Sequence, residues 1–350
     1  MKSEGNVLGK IKKYVAMALV GLTCVMSFSG CDVVQRTKES KGKTVLAEVD
    51  GEKITLDDVD RYLYSDLQTY EEEYGEDYED NADVKDQLKE LRENMVETLV
   101  KNKICEMKAK EFKVVPDDDY INAEVKSQIK DMKAEGEDDY KKYLEQYNVD
   151  EDGYKDLLKH QIIQYAGRLE IQSKATKDLA APTADELSDA YTNYVDTSSQ
   201  LEAGAFVSHI LFTGSKAEEN CKKAKKLVDE GKTFKEIASM KEFRMDATYQ
   251  ELGHLTFENS GVVTEFEDAF KTLPVNQVSE PVKTSYGWHL ILNQKINNEA
   301  IDATQEDFTP YLTYIVNNTN KQQALVKKVQ EYEDALVKDG TVVIYSDRLK

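Results

Sequence analysis

Ala205-Phe206-Val207-Ser208-His209-Ile210-Leu211-Phe212 and Pro281-Val282-Lys283-Thr284-Ser285-Tyr286-Gly287-Trp288-His289-Leu290-Ile291-Leu292 are the two stretches on which the reading of this chain turns. Each carries a continuous apolar run with one histidine in it, bounded by turn residues. Runs of this length without a polar stripe read as buried strands. Between them the pattern is helical. Ser215-Lys216-Ala217-Glu218 caps a helix that ends at Gly231, Phe234 with Ile237 and Ala238 marks a short second one, and Phe266 with Ala269 and Phe270 a third. Three of the four histidines, His209, His254 and His289, fall inside this stretch.

Upstream, Val45 to Val49 and Lys53-Ile54 flank Asp50-Gly51, a strong hairpin signal because a type I′ turn needs positive φ at both central residues. Thr55-Leu56-Asp57-Asp58 follows as a capping box. The acidic tract from Glu71 to Asp80 reads as a solvated loop. Val84, Leu88, Leu91, Met95, Leu99 and Val100 recur at helical spacing and predict a long amphipathic helix up to Phe112, closed by Pro116. A helix from Asp117 through Met132 and further helical pieces follow, interrupted at Ala180-Ala181-Pro182 and restarted by the capping box Thr183-Ala184-Asp185-Glu186. Residues 46–180 hold eleven of the twenty tyrosines, which either offer amphipathic area to apolar segments of other chains or cap a thin helical core. After the second histidine strand, residues 304–338 return to helix and Val342 to Tyr345 give a last strand. Nothing local covers these two elements, so they are expected to pack back onto the N-terminal helices and the 45–54 hairpin.

The whole chain has 350 residues, 40% of them hydrophobic, and a net charge of −21 from 67 acidic against 46 basic residues. That balance excludes nucleic acid as a partner, because the surface repels phosphate backbones. The four cysteines contain no CxxC pair, so neither a disulfide scaffold nor a structural metal site is expected, and no cofactor is called for. Cys105 and Cys221 sit at helical positions and read as buried thiols. Lys10, Lys12 and Lys13 precede an apolar run from Val15 to Phe28 that is too short to span a bilayer and reads as the core of a secretory signal. It ends in Phe28-Ser29-Gly30-Cys31, which resembles a bacterial lipobox with Phe28 where leucine is usual. The resemblance implies lipidation at Cys31 and attachment of the chain to the extracytoplasmic face of the cell membrane. Asp32 to Thr44 is polar and aperiodic and reads as a tether.

Val207-Ser208-His209-Ile210-Leu211, Gly231-x-x-Phe234, Glu265-Phe266-Glu267-x-Ala269-Phe270 and Pro281-Val282-Lys283-Thr284-x-x-Gly287-Trp288-His289-Leu290-Ile291, in that order, resemble the parvulin family of peptidyl-prolyl isomerases. The flanks, through Val49-Asp50-Gly51-Glu52-x-Ile54-Thr55 and the helix–parvulin–helix order, are similar to the SurA N-terminal chaperone region and to PrsA-type foldase lipoproteins. The resemblance implies His209 and His289 as the facing catalytic histidines and Thr284 as completing their hydrogen-bond network. It carries the proline pocket over to Leu252, Val262 and Phe266, with Leu255 on its rim. The catalytic acid is where the chain departs from the family. An ungapped count back from Leu252-Gly253 lands on Phe243, and a three-residue gap brings in Asp246 as the candidate. Tyr249 and Gln250 stand where the family has glycines, Val262 where methionine is common, and His254 at a usually apolar or aromatic position.

The expected fold class is therefore α+β: a mostly helical, SurA/PrsA-like chaperone body of packed N- and C-terminal segments, with an inserted parvulin domain of a small antiparallel sheet flanked by helices. The expected divisions are a signal peptide at 1–30, a tether at 31–44, a helical chaperone domain at 45–200, a parvulin-like domain at 201–298, and a closing helix and strand at 299–350. The expected function is a lipid-anchored foldase that isomerises X–Pro bonds in exported proteins and binds them unfolded. The alternative is a holdase chaperone whose parvulin domain is weak or inactive. A two-lobed solute-binding lipoprotein is excluded by the absence of an alternating βα pattern. Partners are then unfolded exported proteins and the membrane, and pairing of two helical bodies into a homodimer is compatible with this reading.

Overall fold

The computed structural model describes residues 42–195, 200–302 and 304–349. Cys31, the leader and most of the tether lie outside the described residues. Strands β1 (Val45–Val49) and β2 (Glu52–Thr55) form the expected hairpin, with φ of 50° at Asp50 and 77° at Gly51. Thr55 caps α1 (Leu56–Tyr62) through a reciprocal box with Asp58. Then follow α2 (Tyr64–Tyr74), α3 (Ala82–Glu111), α4 (Asp118–Glu135), α5 (Glu137–Gln146), α6 (Glu151–Ala175) and α7 (Ala184–Val195). The next elements are β3 (Gln200–Leu201), β4 (Gly204–Phe212), α8 (Ala217–Asp229), α9 (Phe234–Ser239), β5 (Ala247–Thr256), α10 (Thr264–Thr272), β6 (Val282–Thr284) and β7 (Gly287–Asn297). The chain closes with β8 (Ile301–Asp302), α11 (Gln305–Asp339) and β9 (Val342–Ile344).

Two compact units result. The first comprises residues 42–116, 132–168 and 329–349. Its sheet has the order β2-β1-β9, so the C-terminal strand returns to the hairpin as expected, whereas the N-terminal part of α11 does not: its Phe308 and Leu312 pack on Phe206 in the second unit. The core of this unit gathers Leu46, Val49 and Ile54 from the hairpin, Val59 and Leu67 from α1 and α2, and a row along α3. That row is Val84, Leu88, Arg92, Val96, Val100 and Ile104, advancing in steps of four. Each step overshoots the 3.6-residue turn by about 40°, so the buried face winds around the helix. Met95 and Leu99, placed on the core face by the sequence pattern, are only partly buried beside it.

The unexpected member of the row is Arg92. Its guanidinium donates from Nε and Nη2 to both carboxylate oxygens of Asp60 at 2.9 Å, and from Nη2 to Glu79 at 2.7 Å. Burial works against its charge, but the two carboxylates outweigh that and raise its pKa. Glu79 comes from the acidic tract that reads as a loop in the sequence. The structure corrects that reading: α2 runs on to Tyr74, and Tyr78–Asp80 form a 3-10 turn that sets Glu79 against Arg92. Elsewhere in this unit Tyr62, Tyr140, Tyr147 and Tyr154 pack edge to face or tilted, with ring centroids 5.6–6.3 Å apart. These four spend their rings on one another. Gly167 on α6 sits where a Cβ would lie 1.9 Å from the Cys105 carbonyl oxygen on α3, so the two helices cross there only because the residue has no side chain.

The second unit comprises residues 117–131 and 169–328. Its centre is an antiparallel sheet of order β5-β4-β7-β6. One face carries Ile210, Phe212 and Leu290 against Cys221, Phe234, Ile237 and Phe243 from α8, α9 and the turn after it. The other carries Ala205, Val207 and Ile291 against Phe266 and Phe270 of α10. Ser215 does not cap α8 as its sequence suggests. Its amide and hydroxyl both donate to Glu124 on α4, and Lys216 takes the cap position without a side-chain bond.

Candidate active site

Strand register alone assembles the site. His209 on β4 lies opposite Gln250 on β5 and opposite Ile291 on β7. Side chains alternate faces with period two, so His289, two residues from Ile291, shares the face of His209 as its diagonal neighbour. Val282 on β6 pairs with His289, which puts Thr284 on the same face. Gln250, His209, His289 and Thr284 thus form one row across four strands. The row is continuous in hydrogen bonds: Gln250 Oε1 to His209 Nε2 at 2.7 Å, His209 Nδ1 to His289 Nδ1 at 3.0 Å, and His289 Nε2 to Thr284 Oγ1 at 2.8 Å. The two imidazoles meet edge to edge and nearly coplanar, with centroids 5.2 Å apart and planes 13° apart. All four side chains are buried.

Above the row lies Phe266. Its ring stands edge to face against both imidazoles, with centroids 5.4 Å from His209 and 5.3 Å from His289. Leu252, Leu255 and Val262 pack around the same apolar cluster. A bulge in the β4–β5 pairing, where Val207 faces Gly253 and Ser208 faces Glu251, gives β5 one extra residue. That extra residue keeps both Leu252 and Leu255 on the Phe266 side although they are three positions apart. The four residues assigned to the proline pocket are therefore brought together beside the histidine pair.

Asp246 is not. It precedes β5, whose first residue, Ala247, pairs with Phe212, three residues beyond His209 on β4 and thus about 10 Å along the strand. Its buried carboxylate accepts from Tyr120 Oη on α4 and from Asn220 Nδ2 on α8, the latter at 2.9 Å. Burial, with Glu124 nearby adding to it, pushes its pKa up to about 6. Phe243, where the ungapped count lands, is a core residue edge-on to Phe212. His254 also stands apart: it bonds Asn297 at 2.9 Å and packs its ring on Phe206. The fourth histidine, His160, pairs with Glu106 in the first unit. Gln250 is the site residue that motif comparison passes over, and the signal for it was the glycine that it replaces. Cys105 and Cys221 are buried thiols whose pKa burial pushes up to about 11 and about 12, which leaves them protonated and unreactive.

Burial holds both imidazoles of the pair well below the usual histidine range, and His209 further disfavours a charge on His289. The residues on this face that touch them, Gln250, Thr284 and Phe266, carry no charge. Both rings are neutral at pH 7 and stay so well below the ordinary imidazole pKa of about 6.5. The kcat/KM of isomerisation is therefore expected to be flat between about pH 5.5 and about pH 8, read on a peptide without titratable groups; an inflection near 6.5 contradicts a neutral pair. Stability follows a different course. As pH falls through about 6.5 the unfolded chain takes up protons that the folded pair refuses, so stability is lost. Asp246 works the other way, its raised pKa adding stability as pH falls through about 6.

The sequence that builds this site matches known families. The family model of the PPIC-type PPIASE domain matches residues 209–295, and that of the SurA-like N-terminal domain matches residues 7–166. Foldase protein PrsA of Clostridium perfringens is 31% identical over 348 residues, covering 97% of this chain and 97% of that protein. The chain belongs to the PrsA family of foldase proteins. A PrsA of Clostridium botulinum is 30% identical over 342 residues, covering 93% of this chain and 96% of its own. The crystal structure of PrsA from Bacillus subtilis aligns at 19% identity and a TM-score of 0.28, covering 84% of this chain and 93% of that one. The PPIC-type match begins at His209 and takes in Phe266, Thr284 and His289, so this PrsA-family chain is a peptidyl-prolyl isomerase of the parvulin type.

Proposed function

We propose that the chain is a lipid-anchored foldase outside the cytoplasmic membrane, which isomerises X–Pro bonds in exported proteins and holds them while they are unfolded. The observation that carries the catalytic part is the neutral, hydrogen-bonded His209–His289 pair set edge-on to Phe266. Rotation about an X–Pro bond faces a barrier near 20 kcal/mol because the amide loses its resonance on twisting. No nucleophile is needed to lower it. A site that grips the proline ring on Phe266, Leu252 and Val262, and presents polar but uncharged groups beneath the amide, binds the twisted form better than either planar one. Desolvation of the carbonyl acts in the same direction. In this reading His209, His289 and Thr284 line the amide, Leu255 forms the pocket rim, and Asp246 holds α4 to the isomerase fold rather than taking part in the reaction.

Anchoring rests on Cys31 behind Phe28-Ser29-Gly30. Among the described residues no helix is long and apolar enough to cross a membrane. Two acyl chains on one cysteine suffice for stable attachment, at about 0.8 kcal/mol per buried methylene. The test is incorporation of a labelled fatty acid in a bacterium that processes lipoproteins, with the chain found in the membrane fraction. Label and membrane attachment are expected to be lost together in Cys31→Ser; labelling that survives the substitution contradicts the assignment. A second reading, a holdase with a weak isomerase site, is favoured by Phe243 occupying the family's acid position in the core.

A further inference from the structure

Gln250 stands where the family pattern has glycine, and its side chain ends the hydrogen-bonded row of the site. We propose that Gln250 is a positioning residue that fixes the direction of the proton chain, holding His209 as its Nε2–H tautomer and His289 as its Nδ1–H tautomer. The inference rests on the reading of this histidine pair as the reaction site, but it concerns the pair itself and is tested without activity.

A neutral imidazole has one donor nitrogen and one acceptor nitrogen, so in a closed row the choice at one end propagates to the other. At the first end, Gln250 Oε1 is a carbonyl oxygen 2.7 Å from His209 Nε2, and it can only accept. Nε2 of His209 must then carry the hydrogen, which leaves its Nδ1 bare. The bare Nδ1 lies 3.0 Å from His289 Nδ1, so His289 is the donor there and its own Nε2 is bare. That nitrogen, 2.8 Å from Thr284 Oγ1, takes the hydroxyl hydrogen. The far end accommodates this order. Thr284 Oγ1 accepts the Tyr286 backbone N–H at 3.0 Å and keeps its own hydrogen available for the bare Nε2 of His289. The Gln250 end thus selects the order, Thr284 to His289 to His209 to Gln250, and the Thr284 hydroxyl can follow it. A glycine at 250 would remove the acceptor that ends the row, and the opposite order would then cost His209 nothing at that end. With the glutamine present, the buried row has one arrangement and does not reorganise as the amide above it twists.

The test is the side-chain nitrogen–hydrogen correlation spectrum of the full chain labelled with 15N-histidine, which distinguishes the two neutral tautomers. The expected wild-type pattern is Nε2–H at His209 and Nδ1–H at His289. Gln250→Leu, which removes the acceptor, is expected to lose that single pattern and to lower kcat/KM about tenfold with circular dichroism unchanged. Gln250→Glu, which keeps an acceptor oxygen in place, is expected to retain the tautomer order. An Nε2–H tautomer at His289 in the wild type overturns the proposal, as does a pattern unaffected by Gln250→Leu. Should Gln250→Leu fail to fold, the wild-type and Gln250→Glu spectra decide. The expected tautomers in a chain without isomerase activity would count against the proposed catalytic site and leave the role of Gln250 in the row standing.

Discussion

Phe266→Ala lowers kcat/KM about a hundredfold in a proline-limited refolding assay, with the variant confirmed as folded. Phe266 is buried and touches both imidazoles edge to face, and in the proposed site it is one wall of the proline pocket. Removing the ring takes away contact with a prolyl side chain that is held most tightly in the twisted state, and it admits water to the row beneath. Because Leu252, Leu255 and Val262 remain, weak binding of proline persists. The fall should therefore be larger in kcat/KM than in the affinity for a proline-containing peptide. The same substitution opens a cavity next to Phe270 and Ile291 and destabilises the second unit by about 3–5 kcal/mol. Phe266→Leu separates the two effects: it retains most of the volume, restores most of the stability, and is expected to lose activity by no more than about tenfold. A Phe266→Ala variant that is folded and fully active refutes the pocket assignment.

Arg92→Ala destabilises the first unit by about 3–5 kcal/mol, among the largest single-residue effects expected there. Arg92 is 5% exposed, and its partner Asp60 is 7% exposed. The substitution does more than remove a favourable pair. It leaves the Asp60 carboxylate buried without its bidentate guanidinium and takes the same guanidinium away from Glu79. The check is equilibrium unfolding in urea, with Asp60→Ala and the double variant completing a cycle. The double variant is expected to be more stable than the sum of the two single losses predicts, because it buries no orphan charge. Additive losses would show that the pair is not coupled. Isomerase activity per folded molecule should stay unchanged, since no residue of the histidine row lies in this unit.

The contrast between these two residues shows what was legible beforehand. Phe266, His209, Thr284 and His289 lie within local patterns of strand and helix, and an antiparallel register places the last three on one face once the strands are found. The 45–54 hairpin and the pairing of β9 with β1 were legible for a similar reason, since an apolar element without local cover must find it elsewhere. Arg92 was not legible: a charged residue in a helical stripe reads as the edge of the apolar face, and its two partners come from α1 and from a tract that looks like solvated loop. Asp246 shows the opposite limit. The sequence offers it as an acid near the right spacing, yet the strand pairing sets it three residues past His209, and Tyr120, distant in sequence, takes its carboxylate. Spacing along a chain carries a catalytic role only when the register of the partner strand is known. Gln250 was visible as a departure from glycine, but what its side chain reaches depends on lying opposite His209.

The most direct test of the histidine row as the reaction site compares two variants in one assay. Acceleration of a proline-limited refolding reaction is measured for the chain from Lys41 onward, for His289→Ala and for Asp246→Asn, each confirmed as folded by circular dichroism. The wild type is predicted to accelerate refolding, His289→Ala to lose most of that acceleration, and Asp246→Asn to keep it per folded molecule. Loss of activity in Asp246→Asn equal to that in His289→Ala, or an active His289→Ala, would contradict the account and return the chemistry to the acid that the strand register sets apart.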